Sequence, residues 1–337
     1  MKTITTLGID LAKNVFQLHG VDEKGEKILA KALSRAKFPE FVQQLPRCTI
    51  AMEACAGAHH WARRFRSMGH DVKLISPQFV KPFLKSNKND ANDAEAIVEA
   101  ALRPSMRFVA IKSVEQQDVL CVHGVRARLV RSRTALINEI RGLLNEFGVV
   151  IPLGPQKVLA SLPDIISDKG EHLSTRLRRL ISSLGEELVE INSRIHQLDR
   201  EIEAIAKADD VVRRMMSVPG VGTLTATALY AAASSTDFRN GREMSSWIGL
   251  VPRQYSSGGK PRLGRISKRG DSYIRTLLIH GARSVILRNK TSVEPRAKWI
   301  SQLVERRGHN RATVALANKN ARVLWAIMNG EDEYRAA

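Results

Sequence analysis

Residues Thr3-Ile4-Thr5-Thr6-Leu7-Gly8-Ile9-Asp10 read as a β-branched strand that ends on a carboxylate. Two further strand patterns follow at 14–21 (NVFQLHGV) and 27–33, with Asp22-Glu23-Lys24-Gly25 as the turn between them. Residues 39–45 suit a short helix. Residues 48–53 (CTIAME) form an apolar run that again ends on a carboxylate, Glu53. A helical stretch over 59–68 is broken by Gly69-His70, and a last strand, 72–75, is closed by Ser76-Pro77. Helices are expected from about Phe79 and from about Asp90.

Three antiparallel strands followed by alternating helix and strand is the order of an α/β layer of the ribonuclease-H-like kind. In open α/β sheets ligands gather at the carboxyl ends of strands, where Asp10 and Glu53 stand. The stretch Lys88-Asn89-Asp90-Ala91-Asn92-Asp93-Ala94-Glu95-Ala96 opens the later helix and puts Asp90 and Asp93 three residues apart on one face. Two carboxylates that close repel each other. A hard divalent cation such as Mg²⁺ relieves the repulsion because it prefers carboxylate oxygens and water. The competing reading is an N-capping cluster, since Asn and Asp are favoured caps and acids suit the positive end of a helix. Taken jointly, Asp10, Glu53, Asp90 and Asp93 form a set able to hold two metal ions that activate a nucleophile and stabilise a leaving oxygen.

Charge points to the partner. The chain has 337 residues with 53 Lys+Arg against 34 Asp+Glu, a net charge of +19. Residues 211–337 hold 22 of the cations and 8 of the acids, a local balance of +14. Such a bias calls for a polyanion, most simply nucleic acid bound through its phosphates. No apolar run approaches the roughly 20 residues that span a bilayer, which argues against a membrane partner. Cys48, Cys55 and Cys121 show neither CxxC pairing nor metal-finger spacing and fit a reduced, cytoplasmic protein. The first residues enter a strand pattern rather than a signal peptide.

Residues 115–147 are expected as one long helix with interleaved arginines, among which Arg126 and Arg133 are candidate contacts to a nucleic-acid backbone. Residues 149–155, with two prolines and a glycine, mark a boundary. Leu184, Leu188, Ile191, Ile195, Leu198, Ile202 and Ile205 step by four and three, the seam of a coiled coil. It closes either against a second subunit, the reading favoured here, or within the chain. Three segments result: 1–150 with the acids, a helical coiled-coil linker over 151–210, and a basic, mainly α-helical region over 211–337.

In that last segment Pro219-Gly220-Val221-Gly222 precedes an apolar helix. Its backbone N–H groups, at Gly220 and Gly222, suit a phosphate as in helix–hairpin–helix DNA binders, though a plain interhelical turn explains the motif equally well. Residues 249–271 (GLVPRQYSSGGKPRLGRISKRGD) set Ser256 and Ser257 ahead of two glycines. Arg253, Lys260, Arg262, Arg265, Lys268 and Arg269 surround them. A serine hydroxyl in such a field suits attack on a phosphodiester, and the plainer alternative is a flexible basic loop that grips a backbone.

The set GIDLAKN, AMEACAG and KNDANDA, followed by PGVG and GLVPRQYSSGGKPRLGRISKRGD, resembles the DEDD transposases of the insertion-sequence one-hundred-and-ten family. That family includes the Piv-type DNA invertases. The likeness runs in order over nearly the whole chain. It implies a RuvC-like N-terminal domain, a coiled-coil linker and a C-terminal transposase domain with a nucleophilic serine. By that resemblance Asp10, Glu53, Asp90 and Asp93 bind Mg²⁺. Ser257, with Ser256 as the adjacent alternative, forms a transient covalent link to DNA. The resemblance further implies a homo-oligomer, dimer or tetramer, that acts on element ends and target DNA with a structured non-coding bridge RNA. Two rivals are a RuvC-like junction-resolving nuclease without serine chemistry and a sugar-kinase or actin-like ATPase. The second lacks its later glycine-rich phosphate loop here.

Overall fold

The computed structural model describes residues 3–85, 89–167, 173–260, 262–288 and 295–335, and of Asp90 the backbone but not the side chain. The chain forms two compact units, 3–114 with 235–237, and 115–234 with 238–335.

The first unit is built on a six-stranded mixed sheet. Strands β1 (Thr6–Asp10), β2 (Val15–Val21) and β3 (Lys27–Ser34) form an antiparallel meander. Its second turn is set by Gly25 at φ 79°, while the Asp22 carboxylate accepts from Lys24 N at 3.0 Å and Glu26 N at 2.9 Å. Helix α1 (Phe38–Gln43) leads to β4 (Thr49–Glu53), α2 (Ala58–Ser67) and β5 (Asp71–Ile75). A short helix α3 (Pro77–Val80), one 3₁₀ turn (Lys81–Phe83), α4 (Asp90–Ala101) and β6 (Phe108–Val109) complete it. Strand order is β3-β2-β1-β4-β5-β6, with β1, β4 and β5 parallel and β6 antiparallel to β5. The mixed sheet is compatible with the expected ribonuclease-H-like layer. The edge strand β6 is only two residues long and has no sequence pattern to announce it.

Strand periodicity divides the two faces. Leu7, Ile9, Ile50 and Met52 pack with Phe16, Phe38, Trp61 and Phe65 on the α1–α2 side. Ala51 and Ile75 pack with Val80, Ala96, Ile97 and Ala100 on the α3–α4 side. Gly8 lies on this second face, and its lack of a side chain is a steric requirement. A Cβ there would stand 2.5 Å from both Ala94 O and Val98 Cγ2, so α4 lies directly on the strand backbone.

The second unit is helical apart from one hairpin. It contains α5 (Val114–Asn145), α6 (Pro155–Ser167), α7 (Thr175–Ala208), α8 (Asp210–Met216), α9 (Thr223–Ala233) and α10 (Gly241–Ile248). Strands β7 (Pro252–Gln254) and β8 (Leu263–Ile266) precede α11 (Ser272–Arg288), α12 (Pro295–Arg307) and α13 (His309–Asn329). The heptad seam of α7 is closed inside the chain. Leu188, Ile191 and Ile195 are buried with Leu129, Leu136, Ile137, Ile140 and Leu144 of α5 and with Val158 and Leu162 of α6. A repeat of four and three specifies an apolar stripe, and here the nearest apolar surfaces are the chain's own. A separate core joins α8–α13 around Met215, Leu229, Leu278, Leu316 and Leu324.

Candidate active site

The acids come together through sheet register. β1 and β4 are parallel with Ile9 opposite Met52, so Asp10 and Glu53 are the next residues out, side by side at two carboxyl ends. Both follow the residue facing α4 by two positions, Gly8 in one strand and Ala51 in the other. Asp93, in the first turn of α4, completes the arrangement. Asp10, Glu53 and Asp93 line one cleft of about 450 Å³ with Leu11, Pro77, Val80, Lys81 and Leu84. All three are half-buried. Asn89 caps α4, its side-chain oxygen accepting from Ala91 N at 3.1 Å. The capping reading of this stretch therefore holds for Asn89, while Asp93 faces the cleft. The Asp90 side chain lies outside the described residues.

The negative field of the cleft is felt nearby. Burial raises the Cys55 thiol above its ordinary value, and Glu53 and Asp10 add to the rise. Three carboxylates in one cleft are the oxygen-only donor set that a hard divalent cation prefers. Among the described residues, no three acid, imidazole or thiol groups stand close enough together to enclose an ion. Lys81 also lines the cleft, and nothing in the sequence marks it. Its signal is only its position four residues past Pro77, on a turn that no periodicity reveals.

The serine stretch is a β-hairpin rather than a loose loop. Gln254 pairs with Leu263 and Pro252 with Ile266, and a bridge joins Ser257 to Lys260. Gly258 and Gly259 sit at φ 57° and 74°, the two left-handed positions of a tight two-residue hairpin turn, closed by Lys260 N donating to Ser257 O at 3.2 Å. The two serines differ. Ser256 Oγ accepts from Gln254 Nε2 at 2.9 Å and from Arg262 N at 3.2 Å, which makes it a brace across the hairpin. Ser257 is exposed at the head of the turn, and its hydroxyl has no protein partner among the described residues. Arg253, Lys260, Arg262, Arg265, Lys268 and Arg269 lie around it, all of them exposed. The hairpin root is locked by backbone packing. A Cβ at Gly249 would stand 2.0 Å from Arg269 O, and one at Gly270 1.8 Å from Trp247 O.

Other expected contacts fall differently. Arg126 forms an ion pair with Asp199 and is 18% exposed, so its charge is used inside the helical unit. Arg133 is half-buried. Gly220, four residues past the end of α8, sits at φ 87°, and its Cβ would meet Gly281 O at 2.7 Å. The PGVG turn is thereby pressed against α11, whereas Gly222 faces open space at the start of α9. A buried polar chain that starts at His123, which is 1% exposed, has no signal in the sequence. His123 contacts Tyr273 Oη at 3.0 Å and Thr227 Oγ1 at 2.9 Å.

Comparison with known proteins gives two family matches along the chain. A DEDD transposase family matches residues 7–149, and the family described as Transposase IS116/IS110/IS902 family matches residues 212–297. A probable family 20 transposase of Pseudomonas aeruginosa is 49% identical over 334 residues, covering 98% of this chain and 99% of that protein. The transposase for insertion sequence element IS1111A of Coxiella burnetii is 49% identical over 336 residues, 99% of this chain and 92% of its own length. The transposase for insertion sequence element IS1328 of Yersinia enterocolitica is 41% identical over 331 residues, 97% of each chain.

Proposed function

The chain belongs to the IS110 family of DEDD transposases, and from that premise we propose that it cleaves and rejoins DNA by combining the acid cleft with the serine hairpin. The observation that carries the proposal is that Asp10, Glu53 and Asp93 line one cleft although they are 40 or more residues apart in sequence. The family implies dependence on a divalent metal, and the carboxylate donors fit one. We assign it as Mg²⁺ held by Asp10, Glu53, Asp93 and Asp90. When bound, it would polarise a phosphodiester and stabilise a departing oxygen.

Ser257 is the nucleophile in this reading. Its Oγ attacks phosphorus, loses its proton to solvent and forms a phosphoserine ester, while one strand end leaves as a hydroxyl. Attack by a strand-end hydroxyl on that ester then restores Ser257 and seals the new junction. The ester keeps the energy of the broken bond, so no nucleotide cofactor is required. Arg253, Lys260, Arg262, Arg265, Lys268 and Arg269 stabilise charge on the phosphoryl oxygens. Gly258 and Gly259 let the backbone approach closely. The excess charge of residues 211–337 supports contact with DNA element ends and target, and with a structured guide RNA. We assign 1–150 as the acid-bearing domain, 151–210 as linker and 211–337 as the serine-bearing domain, working in a homo-oligomer in the bacterial cytoplasm.

A covalent-adduct assay tests the mechanism. Protein, the RNA of its locus and labelled element-end DNA are incubated with Mg²⁺ and resolved on a denaturing gel. The expected protein–DNA band disappears in Ser257→Ala and Asp10→Ala and persists in Ser256→Ala. Free cleaved ends that persist in Ser257→Ala would mean hydrolysis by the acids alone.

A further inference from the structure

A second charged feature of the first unit stands at the edge of the sheet where Asp10 and Glu53 end their strands. The loop 11–14 leaves β1 directly after Asp10 and carries Lys13, which is exposed. β3 runs beside β2 with Ser34 opposite Val15, so Arg35 emerges against that loop. Its backbone N–H donates to Asn14 O at 2.8 Å and its Nη1 to Lys13 O at 3.4 Å. α2 starts five residues after Glu53 and brings Arg64 to the same place. The guanidinium carbons of Arg35 and Arg64 lie 5.3 and 5.6 Å from the centroid of one ring, that of Trp61.

Each guanidinium is attracted to the ring, and together they concentrate exposed positive charge at one spot. One arginine stem suffices to cover the edge of a tryptophan that is 3% exposed. Two guanidiniums on one ring repel each other, and neither Arg35 nor Arg64 has a carboxylate partner among the described residues. Exposed Lys13 adds a third charge. His60 beside them is held below its ordinary range by burial and by Arg63, Arg64 and Arg35, so the positive field extends over the whole patch. The anion matched to a pair of forked guanidiniums on an enzyme of DNA is a phosphodiester.

We propose that Lys13, Arg35 and Arg64 form a phosphate-gripping rim that holds the backbone of the DNA strand presented to Asp10 and Glu53. The inference rests on the transposase reading of the acid cleft. It adds a binding surface in the acid-bearing unit to the basic hairpin of the other. Ring stacking fixes both guanidiniums before DNA arrives, so little side-chain freedom is lost on binding.

The test is the salt dependence of binding by the full-length chain to a fluorescein-labelled 30-base-pair duplex, with an RNA hairpin of equal charge as a second arm. Each phosphate contact contributes about 0.9 to the slope of log affinity against log salt. The Arg35→Gln/Arg64→Gln pair is expected to lower the DNA slope by roughly 1.8 and weaken DNA binding at least about tenfold at low salt. The Arg35→Lys/Arg64→Lys pair should keep the slope. A wild-type slope in the folded glutamine pair, or a loss confined to the RNA arm, would overturn the rim. If the glutamine pair does not fold, Lys13→Gln, which touches no ring, decides. A slope lower by about 0.9 supports the rim and an unchanged slope refutes it. Asp10→Asn is the separating control: it is expected to abolish strand cleavage with the slope intact. Cleavage that survives Asp10→Asn would count against the cleft reading and leave the binding result standing.

Discussion

His123 of α5 and Tyr273 of α11 meet at 3.0 Å inside the helical unit, 150 positions apart in the chain. The contact is one link of an ordered chain of donors. The Thr227 hydroxyl donates to Thr223 O at 2.6 Å, so it accepts from His123 Nε2–H. That leaves Nδ1 to accept from the Tyr273 hydroxyl. Arg126, held by Asp199, faces the Tyr273 oxygen. Tyr273 stands in the first turn of α11, whose capping residue Asp271 accepts from Tyr273 N at 2.7 Å, five residues past the end of the serine hairpin. The long helix α5 is thus tied to the segment that roots the hairpin.

This chain makes stability pH-dependent with a defined sign. Burial, with Arg126 adding to it, pushes His123 down to about 4 from an ordinary 6.5. The folded protein therefore keeps it neutral while the unfolded chain takes up a proton as pH falls below 6.5. Its stabilising contribution is full above that value and declines as pH drops toward about 4. Thermal melts between pH 7.5 and 4.5 should show this decline. His123→Leu should lower stability by about 1–3 kcal/mol at pH 7.5, because Tyr273 and Thr227 lose a buried partner. The same variant should flatten the acid-side decline.

Gly8 decides whether α4 can lie on the sheet. Gly8→Ala places a methyl 2.5 Å from Ala94 O, a backbone atom that cannot rotate away. Expected outcomes are a destabilisation of about 1–3 kcal/mol and a loss of DNA cleavage larger than stability alone explains. The second follows because the shift moves Asp93 away from Asp10. Melting temperature and cleavage measured on the same preparation check both.

The two adjacent serines should separate by phenotype. Ser256→Ala removes the acceptor of Gln254 Nε2 and Arg262 N, and should cost about 1 kcal/mol of local hairpin stability while the covalent adduct still forms. Ser257→Ala should leave the fold untouched and abolish the adduct. Hydrogen exchange over 252–266 reads the first effect and the denaturing gel the second.

Metal binding should be visible without activity. Adding Mg²⁺ at about ten times its dissociation constant should stabilise the chain by roughly 1.4 kcal/mol, since ligand that binds only the folded state shifts the equilibrium by mass action. Asp10→Asn and Asp93→Asn should each remove most of that increment. They should melt no lower than wild type without metal, because each also removes one of the clustered negative charges. An unchanged response to Mg²⁺ in both variants would rule out the cleft as its site.

Much of the first unit is legible in local residue patterns. Strands β1 to β5 and helix α2 follow from β-branched or apolar runs bounded by Gly, Pro and Asp, and those local signals survive folding because each run is buried where it stands. The hairpin β7–β8 has the sequence of a loop. Its strands are largely exposed and carry no alternation, leaving the Gly258-Gly259 pair as the only cue. Helix α12, rich in charged residues, and the two-residue strand β6 escape sequence reading, whereas α6 falls inside the 151–210 segment read as helical. Arg126 shows the complementary failure. A helix-borne arginine in a basic chain looks like a phosphate contact, and only the folded chain reveals Asp199 beside it.

The sequence by itself determined the carboxylates, the strands that end on them, the serine pair and the surplus of positive charge, because each is a matter of residue type and local spacing. Tertiary structure alone decided that Asp10, Glu53 and Asp93 share one cleft and that Ser257 rather than Ser256 has an open hydroxyl. It also decided that the seam of α7 closes on α5 and α6. Those outcomes depend on strand register, on a glycine that admits a helix to within van der Waals contact of the sheet, and on which apolar stripes meet. Such pairings join residues tens to hundreds of positions apart, which no local pattern encodes.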